Sequence, residues 1–233
     1  MSSVLRPLLS IVMPCLNEEG AIAAALEALA PLRRRGTEVI VVDGGSADAT
    51  MSRAAGGADH VIASARGRAA QMNAGAALAR GDVVLFLHAD TTLPADADAL
   101  IREGIATSGR AWGRFDVSIC GAHPLFSVVA AAMNVRSRLT GIATGDQGIF
   151  VVRELLERVG GYPPIALMED VALSALLRRH GRALCIRQRA STSGRRWEKH
   201  GVLRTVLLMW RLRLAYALGA DPEKLAVRYV SHR

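Results

Sequence analysis

The sequence predicts an α/β fold, a mostly parallel mixed sheet with helices on its faces. Three observations carry this. Over residues 9–90, short apolar runs alternate with alanine-rich helical stretches at a spacing that suits βαβ units. Residues 83–87, Val-Val-Leu-Phe-Leu, are uninterruptedly apolar, as in a strand buried on both faces of a parallel sheet. Polar clusters fall just past the predicted strand ends, where open α/β sheets hold their ligands.

The elements follow in order. Residues 9–13 read as a strand and 19–29 as a helix that Pro31 ends. The β-branched run 38–42 is the second strand, and Ser46 is placed to cap a helix reaching about residue 55. Residues 60–63 form a short strand and 68–79 a helix, with Gly81 as its stop signal. The run 83–87 is the fourth strand, and Pro94 opens a helix to about residue 106. Residues 112–119 read as a strand, 124–138 as an apolar helix and 148–152 as a strand. A helix over 169–180 stops at Gly181, a strand spans 184–187, and helices over 202–218 and 222–229 close the chain. No linker, internal repeat or low-complexity segment appears, so the expectation is one domain over 1–233.

Composition excludes several classes. With 51% hydrophobic and 21% charged residues, the chain is globular rather than disordered. The formal charge of +8 is almost all arginine, since Lys199 and Lys224 are the only lysines. That balance favours phosphate-bearing ligands or anionic surfaces, but no basic run interleaved with aromatics points to nucleic acid. Cys15, Cys120 and Cys185 are odd in number and widely spaced, which fits neither a disulfide framework nor a zinc knuckle and makes a reducing compartment the default. No signal peptide is read at residues 1–20, and no run of about 18 uncharged apolar residues predicts a membrane span. The expected location is the cytoplasm.

Five clusters can carry chemistry. Asp43-Gly44-Gly45-Ser46 joins a strand to a helix; its carboxylate can accept from a nucleobase or ribose, and the same pattern serves a plain turn. His88-Ala89-Asp90 ends an apolar strand with a carboxylate that can hold a divalent cation against phosphate oxygens, or can cap the next helix. Arg66, Arg68 and Gln71 surround a helix start suited to phosphate, and also to a solvated turn. Glu169-Asp170 opens a helix, where a general base or a dipole-stabilising acid is equally at home. Arg195-Arg196-Trp197 sits in a polar loop able to clamp a phosphate or stack on a sugar. The stripe Leu203, Val206, Leu207, Trp210, Leu214 and Leu218 reads as packed core before it reads as a lipid-facing surface.

The order of these pieces is distinctive. Ser10-Ile-Val-Met-Pro-Cys-Leu-Asn-Glu18, Val-Val-Asp43-Gly-Gly-Ser-Ala-Asp48-Ala-Thr50, His88-Ala-Asp90 and Gly160-Gly-Tyr-Pro163 before Glu169-Asp170 together resemble glycosyltransferase family 2. Gly67-Arg-Ala-Ala-Gln-Met-Asn-Ala-Gly75 and Thr144-Gly-Asp-Gln-Gly-Ile-Phe150 further resemble the small soluble bacterial branch of arsenosugar-biosynthesis or selenium-domain-associated glycosyltransferases. The resemblance implies a GT-A fold, a nucleoside-diphosphate sugar donor, a divalent metal and inversion at the anomeric carbon. It implies a nucleotide-sugar-binding half over about 9–120, an acceptor and catalytic half over about 121–200, and closing helices over 201–233. By position, Pro14, Asn17, Glu18 and Asp43 would line the nucleoside pocket. Arg66, Arg68, Gln71, His88, Arg196 and Trp197 would complete donor binding, Asp90 would hold the metal and Asp170 would be the base. Asp146, Gln147 and Glu169 would face the acceptor, expected to be a small molecule.

Two departures from the family pattern stand out. Asp43-Gly44 replaces paired acids, and His88-Ala89-Asp90 replaces Asp-x-Asp, which tilts the expected metal toward manganese over magnesium. A nucleotidyltransferase would want a glycine-rich, Lys/Arg-bearing loop where Pro14-Cys-Leu-Asn-Glu18 stands. A non-catalytic nucleotide-sugar-binding or membrane-associated protein would have no use for both Asp90 and Asp170.

Overall fold

The computed structural model describes residues 8–230. In chain order the elements are β1 (Leu9–Cys15), α1 (Ile22–Arg34), β2 (Glu38–Asp43), α2 (Thr50–Ala54), β3 (His60–Ala63), α3 (Arg68–Leu78), β4 (Val83–Phe86), β5 (Thr91–Thr92) and α4 (Ala97–Ser108). There follow β6 (Trp112–Cys120), α5 (Leu125–Thr140), a 3₁₀ turn at Gly145–Gln147, β7 (Ile149–Val152) and α6 (Arg153–Arg158). The last are α7 (Glu169–Arg178), β8 (Leu184–Ser193), α8 (Arg195–His200), α9 (Val202–Ala217) and α10 (Pro222–Val230).

One eight-stranded sheet runs in the order β3-β2-β1-β4-β7-β6-β8-β5. The pairs β1–β2, β2–β3, β1–β4 and β6–β8 are parallel; β4–β7, β6–β7 and β5–β8 are antiparallel. Alternation along the strands feeds two cores. Ile11, Met13, Val39, Val41 and Leu85 pack on one face with Leu26 and Leu29 of α1 and Ile101 of α4. Val12, Ile40, Val42, Val84 and Phe86 pack on the other with Met72 of α3 and Leu173 and Leu177 of α7. The sheet is α/β, mostly parallel and mixed, as predicted.

Several local expectations are corrected. Pro31 lies inside α1, because Leu32, 1% exposed, keeps the helix packed one turn further. Ser46 caps no helix; α2 starts at Thr50, whose N–H donates to Asp48 Oδ1 at 3.0 Å. The last strand extends from residue 187 to Ser193, past a register shift against Phe115/Asp116 that accommodates the polar Arg187-Gln188-Arg189 run. The polar loop around Trp197 is the short helix α8. The stripe on α9 is not core: Leu203, Leu207, Trp210, Leu214 and Leu218 are all exposed, and Val206 alone is partly covered. Among the described residues no helix is long and apolar enough to cross a membrane.

Candidate active site

The chain leaves β1 for β2 on one side and later returns to β4 on the other, while β1 and β4 lie side by side. Adjacent loops that diverge in this way open a crevice at the strand ends. The loop after β1 is tied to the loop after β2. Asn17, at φ 55°, donates its N–H to Ser46 Oγ at 2.8 Å and accepts from Ala47 N–H at 2.9 Å. Glu18 N–H donates to Thr50 Oγ1 at 2.8 Å. Asp43, 1% exposed, accepts from Gly45 and Ser46 N–H at 2.9 and 2.8 Å and from the Ser46 hydroxyl. Asn17 and Asp43 therefore tie the two loops together at the rim, and the Asp43 carboxylate is held by its own turn.

Two cavities fill the crevice, of about 270 and 110 Å³, with Arg68, His88, Asp90 and Tyr229 lining both. Pro14, Glu18, Arg66, Gln71 and Glu169 belong to the larger lobe. The Gln71 amide is already committed, donating to Cys15 O at 2.7 Å and Val42 O at 2.9 Å. It also explains Gly44: a Cβ there would lie 2.9 Å from Gln71 Cδ, so a second acid beside Asp43 has no room.

Asp146, Asp170 and Trp197 line the smaller lobe. Asp170 Oδ2 accepts from Gly145 N–H at 2.9 Å and Oδ1 from Val171 N–H at 2.7 Å. His88 Nδ1 lies 3.3 Å from Asp146 Oδ1, and its ring packs so closely on the 3₁₀ turn that a Cβ on Gly145 would be 2.3 Å from Cε1. Asp90 is exposed just beyond β4, its carbonyl accepting from Ser193 N–H at 3.0 Å, so the β5–β8 pairing fixes its place.

Two residues expected on the acceptor side lie elsewhere. Gln147 is wholly buried, accepting from Thr144 N–H at 3.2 Å and donating to Asn134 Oδ1 at 3.4 Å, so it closes the turn. Glu169 is 4% exposed, with Arg68 Nη1 at 3.8 Å, and lines the larger lobe. Met168 at φ 69° starts α7, and the 100° step between helix neighbours sends Glu169 and Asp170 to different lobes. Arg196 lies in α8, and its side chain falls outside the described residues.

Burial, and next the Asp170 charge, raise the Glu169 pKa, while Arg68 pulls it down. The folded state thus holds this proton more tightly than the unfolded chain, so ionising Glu169 costs stability. The cost is absent below the ordinary carboxylate range and complete above the raised value. Glu169→Gln should melt no lower than the parent at neutral pH, with any gain disappearing in acid. A lower melting temperature at neutral pH would show that the Arg68 pair outweighs burial.

Tyr229 and Arg213 also face the cavities but belong to no sequence motif; Arg213 stands out only as a charge inside an apolar run. Arg213 Nε, on the smaller lobe, and Arg136 Nε and Nη2 are buried without a hydrogen-bond partner among the described residues. No three His, Cys, Asp or Glu side chains converge on a metal position among the described residues. A cation whose remaining oxygens come from a diphosphate and water needs only one or two carboxylates, and the exposed Asp90 fits that requirement. A separate cavity of about 520 Å³ lies at the other end of the strands, lined by Leu9, Val83, Ile101 and Ile105. Its Arg35 and Asp98 are paired with each other at 2.7 Å, and it brings no reactive groups together.

Residues 10–127 match the family model described as Glycosyl transferase family 2. No curated protein matches the chain. Among solved structures, S. aureus TarS 1-349 is 17% identical with a TM-score of 0.64, over 80% of this chain and 60% of that one. The mannosyltransferase PcManGT from Pyrobaculum calidifontis, in complex with GDP-Man and Mn2+, is 24% identical with a TM-score of 0.63, over 91% of this chain and 62% of that one. Glucosyl-3-phosphoglycerate synthase from Mycobacterium tuberculosis, in complex with Mg2+ and UDP, is 20% identical with a TM-score of 0.57, over 80% and 70% of the two chains. The chain spans less than two thirds of the length of the first two. At these identities the likeness establishes the fold, that of solved glycosyltransferases.

Proposed function

The chain belongs to glycosyl transferase family 2, and from that premise we propose that it transfers a sugar from a nucleoside-diphosphate sugar to a small soluble acceptor by a single inverting displacement. The observation that carries this reading is the two-lobed cleft at the β1/β4 switch, with Asp90 lining both lobes and Asp170 the smaller one.

The larger lobe takes the nucleoside against Pro14, Glu18 and Arg66. Asn17 and Asp43 contribute indirectly, by holding the two loops in shape. Asp90 would hold a divalent metal, Mn2+ or Mg2+, beside His88, and the ion would supply charge neutralisation for a diphosphate leaving group. Arg68, which lines both lobes, and Arg213, in the smaller one, supply further positive charge. Asp170 takes the acceptor's proton as its nucleophile attacks the anomeric carbon. Trp197 stacks on the sugar or acceptor at the edge of the smaller lobe, and Asp146 holds the His88 ring in place. The acceptor specificity is that of the arsenosugar or selenium-associated branch, and the compartment is the cytoplasm. A lipid-linked acceptor is the second reading, favoured by the exposed apolar face of α9.

A screen of nucleotide sugars by calorimetry, with and without Mn2+ and Mg2+, tests this directly. The expected result is metal-dependent binding of one donor, slow donor hydrolysis, and loss of most metal-dependent affinity in Asp90→Ala with unchanged melting. Full activity in excess chelator would remove the metal from the scheme. Donor binding without hydrolysis or transfer would identify a binding protein instead.

A further inference from the structure

The outer face of α9 is apolar where a helix packed on a protein surface is ordinarily polar. Leu203, Leu207, Trp210, Leu214 and Leu218 are 67%, 59%, 66%, 62% and 79% exposed. Their positions place them on one stripe, roughly 22 Å long at 1.5 Å per residue. On α9 itself the exposed polar side chains are Arg204 and Arg211, and the helix contains no acidic residue. The inner face is already occupied: Val202, Thr205 and Leu212 are buried, and Leu208, Met209 and Ala215 pack with Leu167, Met168 and α10. The stripe is therefore surplus to the fold.

We infer that this face docks on an anionic lipid bilayer. Leucine and tryptophan side chains enter the headgroup boundary, and arginine stems lie along the apolar surface while their guanidinium groups reach lipid phosphates. The chain's formal charge of +8 has the sign that anionic lipid attracts. A second copy is the poorer occupant, because pairing two such faces brings Arg204 and Arg211 of both copies together with no acid on the helix to meet them. The inner side of α9 lends Thr205, Met209 and Arg213 to the smaller cleft lobe. A docked bilayer would thus lie roughly one helix diameter, about 10–12 Å, from the lobe that holds Asp170. Docking does not rest on sugar transfer, since vesicle binding is read with no donor present.

The test is co-sedimentation of the full chain with vesicles of phosphatidylcholine alone, and of phosphatidylcholine and phosphatidylglycerol in equal parts. The chain should pellet with the mixed vesicles, be released as salt rises, and stay in solution with phosphatidylcholine. Leu207→Ser/Trp210→Ser/Leu214→Ser should keep the parental melting temperature and nucleotide binding, yet lose vesicle affinity by at least about tenfold. Arg204→Gln/Arg211→Gln should lose the salt-sensitive part of the binding. A parent that ignores both vesicles, or a triple variant that binds like the parent, overturns the inference. So does a parent dimer by light scattering that the triple variant makes monomeric, which would name a second copy as the occupant.

Discussion

Asp170→Asn should lower turnover by roughly 10²–10⁴-fold, the usual contribution of a general base. The substitution preserves shape, but an amide takes no proton. Donor affinity should change little, because Asp170 lines the smaller lobe while the nucleoside is assigned to the larger one. Stability should fall by about 1 kcal/mol, since the amide oxygen can still accept from one of Gly145 and Val171 N–H but not from both. Glu169→Gln is the internal control: it sits one residue away, buried in the other lobe beside Arg68, and should leave far more activity. Measuring kcat at saturating acceptor separates the cases. Near-parental turnover in Asp170→Asn would make Asp170 a residue that holds Gly145, and the base would then be sought at Asp146, which lines the same lobe.

The division between Glu169 and Asp170 also shows where sequence reading stops. Period-two and helical patterns located every strand but the two-residue β5, and most helices, and the crevice loops followed from them. Which way a side chain turns within a loop depends on contacts distant in sequence. Asp43 closes β2, one residue past the strand end that the sequence predicted, and Gly45 and Ser46 N–H hold its carboxylate to the turn. Gln147 falls in a polar loop and is wholly buried because Asn134, thirteen positions earlier, receives its amide. The α9 stripe has the spacing of a packed helix, and spacing alone does not say which side the sheet occupies. Tyr229 reaches the cleft because α10 folds back over it through Leu225 and Ala226 against Leu167 and Met168, contacts no local pattern encodes.

Asp116→Ala should be the most destabilising substitution near the site, at about 3–5 kcal/mol, the cost of leaving a buried charge without its partner. Arg114 is 0% exposed and reaches Asp116 with Nη1, Ser137 Oγ with Nε at 3.1 Å and the Asn134 carbonyl with Nη2 at 3.2 Å. These bonds clamp α5 onto β6. Asn134 then accepts from Val117 N–H at 2.8 Å and from the Gln147 amide, which closes the turn whose Gly145 N–H holds Asp170. Removing the Asp116 carboxylate strands the Arg114 charge at the base of this chain of contacts. Arg138, 36% exposed, loses the same partner at 2.8 Å but can turn to water, so its share of the loss is small. The expected drop in melting temperature is roughly 6–20 °C for a chain of this size. Arg114→Met/Asp116→Leu should recover most of it, because removing both members of a buried pair spares the unpaired charge. If Asp116→Ala melted within a few degrees of the parent, Arg114 would have to be compensated by its neutral neighbours alone. If the double variant recovered stability but not turnover, the pair would be positioning the Asp170 turn as well as holding α5 in place.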